Sequence, residues 1–81
     1  MDNYEKLKSA AEWVSLFPPP SCIELRENGI HIELFGLEDE ESGDRQFIGN
    51  VVSWQDFEQS EFDILYNTIA EMSHKLSSPD I

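Results

Sequence analysis

The stretch SCIELRENGIHIELFG, residues 21–36, decides the fold, because it holds two alternating runs around one turn signal. Ile23 and Leu25 alternate with polar neighbours before Asn28-Gly29, and a second run of aliphatic residues alternates after it. A period of two is that of a strand with one apolar face. Asn-Gly between such runs favours a two-residue type I′ turn. The sequence therefore predicts an antiparallel hairpin.

The turn also sets an expected register, counted outward from Asn28-Gly29. Like charges directly across a strand pair are unfavourable, so a Glu24–Glu33 pair would favour a nearby cation. A catalytic Cys22–His31 dyad does not fit this register. The expected pairs are Arg26 with His31, Glu24 with Glu33, and Cys22 with Phe35.

Helices are expected on both sides of the hairpin. Residues 2–16 carry an apolar stripe, Asp2 or Asn3 is a suitable cap, and the prolines at 18–20 end the helix. Near the other terminus, residues 54–59 predict a short first turn that runs into the longest helix, with a cap at Ser53 or Ser60. The expected stripes are Tyr4, Leu7, Ala11 and Val14 in the first helix, and Phe62, Leu65, Ile69, Met72 and Leu76 in the last.

A third strand is expected over residues 46–54, with a bulge or an early end at Gly49-Asn50. The element order is then α-β-β-β-α. We expect an α+β fold in which a three-stranded antiparallel sheet packs against helices. Residues 1–81 are interpreted as one small acidic domain.

The charge balance limits the classes of partner. Seventeen acidic residues face five basic ones, a net charge of -12. This excess disfavours direct binding to nucleic acid or to an anionic membrane. It favours a basic protein or nucleoprotein complex as partner. With acids near the start and no long apolar run, we expect a cytoplasmic protein, in the host cytoplasm if a phage encodes it.

Motifs for cofactors, metals and catalysis are weak or missing. A single cysteine allows neither an internal disulfide nor a zinc site built on a cysteine pair. A calcium loop starting at Glu38 would place Gly43 correctly, but Gly49 would stand where the bidentate Glu is required. The sequence has no glycine-rich phosphate loop, HExxH or GxSxG motif. We therefore expect no cofactor, no metal, no catalytic residue and no enzymatic activity.

Acidic residues concentrate in the connection 37–45 and at the start of the last helical region, and Arg45 is the single basic residue between positions 38 and 63. Each acid alone is more simply a solvated residue or a favourable helix N-terminal charge. Together, carboxylates spaced along a surface imitate a row of phosphates. Flanking aromatics would add affinity. The expected partner-binding residues are Glu38, Asp39, Glu40, Glu41, Asp44, Asp56, Glu58, Glu61, Asp63, Phe35 and Phe57.

In size, charge and element order the chain resembles the small acidic inhibitors and nucleic-acid mimics that phages and mobile elements encode, including anti-CRISPR proteins. The resemblance implies a non-enzymatic inhibitor that occupies a basic, nucleic-acid-binding surface of a host defence or regulatory protein. Two alternatives stay open. One is an immunity protein or antitoxin that neutralises a basic toxin. The other is a small structural or adaptor subunit, or a homodimer, whose charge serves solubility alone.

Overall fold

The predicted hairpin is present, but its turn lies one residue earlier than expected. In the computed structural model, which describes residues 2–60 and 63–77, strand β1 spans Cys22–Arg26 and strand β2 spans Gly29–Glu38. Glu27 and Asn28 form the connection, and both have negative φ, so the turn is not type I′. Gly29 takes the positive φ, 148°, as the first residue of β2.

The expected register is wrong by two residues along β2. Arg26 pairs with Gly29, Glu24 with His31, and Cys22 with Glu33. The reason lies at Gly29, which is buried against the end of the third strand: a Cβ there would lie 2.3 Å from the Val52 carbonyl oxygen. A shift of two leaves every side chain on its expected face, so the amphipathic pattern survives the error.

Strand β3 spans Arg45–Val52 and pairs antiparallel with β2, which gives the strand order β1-β2-β3. The bulge or early end expected at Gly49-Asn50 is wrong, because both residues pair regularly with β2 and the strand continues to Val52. The irregularity lies on β2 itself, between Phe35 and Glu38. Gly36 and Leu37 stand there opposite the single residue Gln46. The extra residue kinks the end of β2 where it enters the acidic connection.

Three helices complete the fold, in the order α-β-β-β-α-α. Helix α1 spans Asn3–Val14, α2 spans Trp54–Gln59 and α3 spans Ile64–Ser77. The predicted caps at Asp2 and Ser53 are confirmed, since their side chains accept the N–H groups of Glu5 and Asp56.

Ser60 ends α2 instead of starting α3. Asp63 takes the capping role at α3: its side chain accepts the Tyr66 N–H at 3.1 Å and its carbonyl accepts the Asn67 N–H at 3.2 Å. The predicted single last helix is therefore two helices, because two separate sets of caps act within ten residues of sequence.

The buried face of α1 differs from the predicted stripe. Ala10 and Val14 are buried and Leu7 packs against them, whereas Tyr4 and Ala11 are exposed. In α3 the predicted Leu65, Ile69 and Met72 are buried, and Leu76 packs against the core. Phe62 lies outside the described residues.

The core lies between one face of the sheet and the helices. Ile30, Ile32 and Leu34 project from β2, the central strand, and are fully buried. Helix α3 lies across β2 and β3, and α1 packs against α3 and β1. In the described part of the chain no element covers the opposite face of the sheet, which we call the open face. The buried core residues are Ala10, Val14, Ile30, Ile32, Leu34, Val52, Phe57, Leu65, Ile69 and Met72.

Candidate partner-binding site

The acidic connection is an ordered turn, held mainly by its own backbone. We call residues 38–44 the acidic loop. The Asp39 N–H donates to the Asp44 carbonyl at 2.7 Å, and the Gly43 N–H donates to the Asp39 carbonyl at 2.8 Å. Gly43 has a φ of 75°, in the left-handed region that glycine adopts without strain. Every residue of the acidic loop is exposed.

One carboxylate of the acidic loop is hydrogen-bonded within the loop itself. The Asp39 carboxylate accepts the Glu41 N–H at 2.8 Å and the Ser42 N–H at 3.2 Å, as an Asx turn does. The other four carboxylates form no hydrogen bond or ion pair with any described residue. They are therefore available to a partner without breaking a contact of the fold. These four are Glu38, Glu40, Glu41 and Asp44.

Arg45, the basic residue closest to the acidic loop in sequence, does not neutralise it. Its Nη2 donates to the Pro19 carbonyl at 2.7 Å and to the Gly36 carbonyl at 3.3 Å. The guanidinium also lies over the Phe35 ring, 5.4 Å from its centroid. Arg45 therefore ties the proline segment to the sheet, and the carboxylates beside it remain uncompensated.

A groove of about 700 Å³ lies beside the acidic loop. Its apolar lining comes from the segment after α1, the end of α3 and the bulge of β2, and includes Phe17, Leu76 and Leu37. Asp39 and Asp44 contribute the acidic part of the lining. Leu37 is 83% exposed. A large apolar side chain held in the open next to carboxylates suits a contact with a partner protein.

The second acidic group lies at the other end of the sheet. Asp56 and Glu58 are exposed on α2, which follows the last residue of β3. The acidic loop precedes the first residue of β3, so the two groups are separated by the strand's length, roughly 24 Å at about 3.4 Å per residue. Asp63 is half-buried as a cap of α3, and Glu61 lies outside the described residues.

The structure places Phe57 and Phe35, the two predicted aromatic contacts, in different environments. Phe57 is 2% exposed and forms part of the core, so its prediction as a partner-binding residue is wrong. Its ring packs edge-on against Trp54 at a centroid distance of 6.1 Å. Phe35 is half-buried and stacks on Phe47 at 5.2 Å, on the open face. Phe47, 58% exposed, is the aromatic that a partner would meet there.

The open face also carries the ion pair of the sheet. Arg26 donates to the Glu24 carboxylate at 2.7 Å, and this hydrogen bond lowers the pKa of Glu24. Burial, followed by the carboxylates of Glu33 and Glu24, raises the pKa of the Cys22 thiol. A thiol held protonated is a poor nucleophile. The His31 ring contacts the Asn28 side chain at 2.8 Å instead of Cys22.

No protein-family model, curated protein or solved structure matches the chain. The site therefore has to be judged on its own geometry. Within residues 2–60 and 63–77, no group of three or more His, Cys, Asp or Glu side chains is placed to hold a metal ion. Over the same ranges, no helix has the length and apolar character needed to cross a bilayer.

Sequence reasoning missed two residues that shape this site. Leu37 falls in the predicted connection 37–45, and the β2 bulge that exposes it has no clear signal apart from Gly36 before it. Arg45 stands out in the sequence only as the single basic residue between positions 38 and 63. Its carbonyl partners, Pro19 and Gly36, are far from it in sequence or across the bulge, so spacing alone does not identify them.

Proposed function

We propose that the protein is a non-enzymatic inhibitor that binds a basic, nucleic-acid-binding surface of another protein through its acidic loop. The observation that carries this proposal is the state of the loop carboxylates. Glu38, Glu40, Glu41 and Asp44 are exposed, close together and without a hydrogen bond or ion pair to any residue that the structure describes, on a turn that its own hydrogen bonds hold in shape. A preformed anionic surface loses little conformational entropy on binding.

The groove next to the acidic loop supports the same partner class. Charge accelerates association and selects the partner, whereas affinity depends largely on buried apolar anchors. Leu37 and Phe17 provide apolar surface within the groove, directly beside the carboxylates. The fitting partner segment carries Lys or Arg residues around at least one apolar side chain.

The spacing of the acids refines how nucleic acid would be imitated. The acidic loop is a compact cluster, and the acids of α2 lie roughly 24 Å away along β3. A partner would contact one cluster as it contacts a few neighbouring phosphates. It would contact both only if its basic surface extends along the whole sheet.

The decisive experiment compares two charge-matched variants. The loop variant carries Glu38→Gln, Glu40→Gln, Glu41→Gln and Asp44→Asn. The control variant carries Glu5→Gln, Glu12→Gln, Glu27→Gln and Glu71→Gln, all exposed positions outside the loop and outside α2. Each removes four negative charges from the total of -12. Both are immobilised beside the wild-type protein and used to capture proteins from cells of the host.

We expect the wild type and the control variant to capture the same basic, nucleic-acid-binding protein, and the loop variant to lose it. Competing DNA or RNA should displace that protein, and its association rate should fall steeply from low to high salt. Capture that competing nucleic acid does not affect would indicate the toxin-neutralising alternative. Equal capture by the loop variant would show that the acidic loop is not the binding site.

A further inference from the structure

Strand β3 is a free edge of the sheet. It pairs with β2 on one side, and in the described part of the chain no strand pairs with it on the other. Six of its eight residues are exposed. Such an edge presents unpaired N–H and C=O groups that favour pairing with another strand.

The alternation of the antiparallel ladder identifies which groups face outward. Arg26 and Gly29 flank a two-residue connection and form a hydrogen-bonded pair, so odd-numbered residues of β2 bond toward β1. The Phe35 N–H agrees, since it donates to Ser21 Oγ at 2.8 Å, before the start of β1. Even-numbered residues of β2 therefore bond to β3. Before the bulge, their partners on β3 are also even-numbered, since Ile30 pairs with Val52, Ile32 with Asn50 and Leu34 with Ile48.

The outward groups of β3 then belong to Phe47, Gly49 and Val51. The Val51 N–H confirms this direction, because it donates to the Asn50 side chain at 2.8 Å instead of to β2. On the open face, the side chains of Phe47 and Val51 are 58% and 45% exposed. Gly49 lies midway between them, opposite Glu33 of β2.

This edge lacks most of the devices that discourage strand pairing. Residues 46–55 contain no acid, no Lys or Arg and no proline, in a chain with seventeen acids. The one bulge of the sheet lies on β2. The bond from Val51 to Asn50 protects a single N–H and leaves those of Phe47 and Gly49 unprotected.

We propose that two copies of the chain pair antiparallel through β3, centred on Gly49, to form a six-stranded sheet. Gly49 of one copy would face the partner's Gly49 in a hydrogen-bonded pair, and Phe47 would face the partner's Val51. An aromatic across from a β-branched residue is a favourable cross-strand pair. The edge is self-complementary about Gly49, as a two-fold interface requires.

Charge supports a second copy at this edge. Arg45 begins β3, and Lys75 lines a small depression with Gln46, Phe47 and Ile48. In the antiparallel arrangement, this basic end of the edge points toward the start of the partner's α2, where Asp56 of the partner is exposed. Residues 46–55 add no acid to the interface, so the acids that repel each other between two copies lie beside the paired strands and not between them.

The arrangement would also bring separated acids together. The acidic loop of one copy would lie at the same end of the six-stranded sheet as the partner's α2. Each end of the dimer would then present Glu40 and Glu41 near the partner's Glu58. Residual repulsion between these groups should make pairing stronger as salt rises.

Analytical ultracentrifugation of the whole chain, from micromolar to millimolar protein, tests the proposal. We expect a monomer–dimer equilibrium whose dissociation constant falls several-fold from low to high salt. The opposite trend is expected for capture of a basic partner by the acidic loop, so each result can fail without the other. A monomer at every concentration would overturn the dimer.

Two matched proline variants locate the interface. Gly49→Pro removes an outward N–H and no bond to β2, and a Cβ at Gly49 meets its neighbours at ordinary distances of 3.8–4.0 Å. It should weaken the dimer about tenfold or more, since one hydrogen bond between the chains is lost from each copy. Leu25→Pro makes the same change on the β1 edge and should leave the dimer intact. The reverse pattern would overturn the proposal.

A cross-link keeps the proposal testable if either proline variant fails to fold. In a Cys22→Ser background, Gly49→Cys would place two thiols across the two-fold axis. The Cα atoms of a hydrogen-bonded pair lie about 5.5 Å apart, within the range of a disulfide. Mild oxidation should give a covalent dimer, whereas Leu25→Cys in the same background should not. Absence of the cross-link at Gly49 would contradict the register.

Discussion

The two ends of the sheet are stabilised by different kinds of interaction. At the end where β1 turns into β2, Gly29 is buried, Phe57 fills the core and the Trp54 indole donates to the Arg26 carbonyl at 2.7 Å. At the other end, the acidic loop is closed by its own hydrogen bonds and remains exposed. We call these the packed end and the acidic end. The difference indicates that buried contacts are concentrated at the packed end, whereas the acidic end is the one for which we propose partner recognition.

The largest effect should come from the packed end. Phe57→Ala removes a fully buried ring and leaves a cavity, so we expect the free energy of unfolding to fall by about 3–5 kcal/mol. Urea denaturation measures it. Glu58→Ala, the exposed neighbour on α2, is the control and should change stability by no more than about 0.5 kcal/mol. Equal effects of the two variants would mean that α2 does not close this end.

The second largest loss of stability is expected for Gly29→Ala. Its φ of 148° is unfavourable for an L-residue, and the new Cβ would lie 2.3 Å from a backbone oxygen. We expect a loss of about 1–3 kcal/mol in thermal or urea unfolding. Gly36→Ala serves as the control, since its Cβ would meet Gln46 at an unstrained 3.7 Å. If Gly36 proves the more sensitive, the acidic end contributes more to stability than we infer.

A smaller effect is expected in the acidic end itself. Asp39→Ala deletes the acceptor for the Glu41 and Ser42 N–H groups and should cost about 1 kcal/mol of local stability. Amide hydrogen exchange at these two residues should accelerate, with little change in the core. Asp39→Asn keeps an oxygen acceptor and should retain slow exchange. Fast exchange in both variants would show that the charge of Asp39, and not its hydrogen bonds, keeps the loop ordered.

The smallest effect concerns Cys22 on the open face, between the two ends. Because burial and two carboxylates raise the pKa of its thiol, less thiolate is present at mildly alkaline pH than in an unfolded chain. Alkylation should therefore be slower in the folded protein and reach its half-maximal rate at higher pH. Glu33→Gln should lower the pKa and speed the reaction, whereas Arg26→Ala should slow it. Identical rates for all three proteins would contradict this assignment.

The amphipathic hairpin and the helical regions on both sides of the sheet could be predicted because their signals are local, but the division of the last region into α2 and α3 was not. Alternating Ile30, Ile32 and Leu34 mark a strand with one buried face wherever its partners lie. The register could not be read from Asn28-Gly29, because the contact that places Gly29 comes from Val52, far along the chain. The bulge at Gly36-Leu37 could not be predicted for the same reason, because it is defined by the pairing of β2 with β3.

For the candidate site, composition predicted the acidic loop but not which of its acids form hydrogen bonds within the fold. Asp39 and Glu40 look alike in sequence, yet the Asp39 carboxylate holds the turn while that of Glu40 forms no hydrogen bond or ion pair within residues 2–60 and 63–77. Phe57 was misjudged because its acidic neighbours suggest exposure, whereas the helical period of α2 turns its ring inward. Whether a loop acid binds a partner remains a prediction.

The strand order β1-β2-β3 has a consequence for how the chain folds. Each strand pairs with its neighbour in sequence, so the sheet forms through short-range closures. The contact between α1 and α3 joins segments from opposite ends of the chain and requires the longest closure. Mostly local topology is associated with fast folding. We therefore expect rapid assembly of the strands with α3, followed by docking of α1 as the last step.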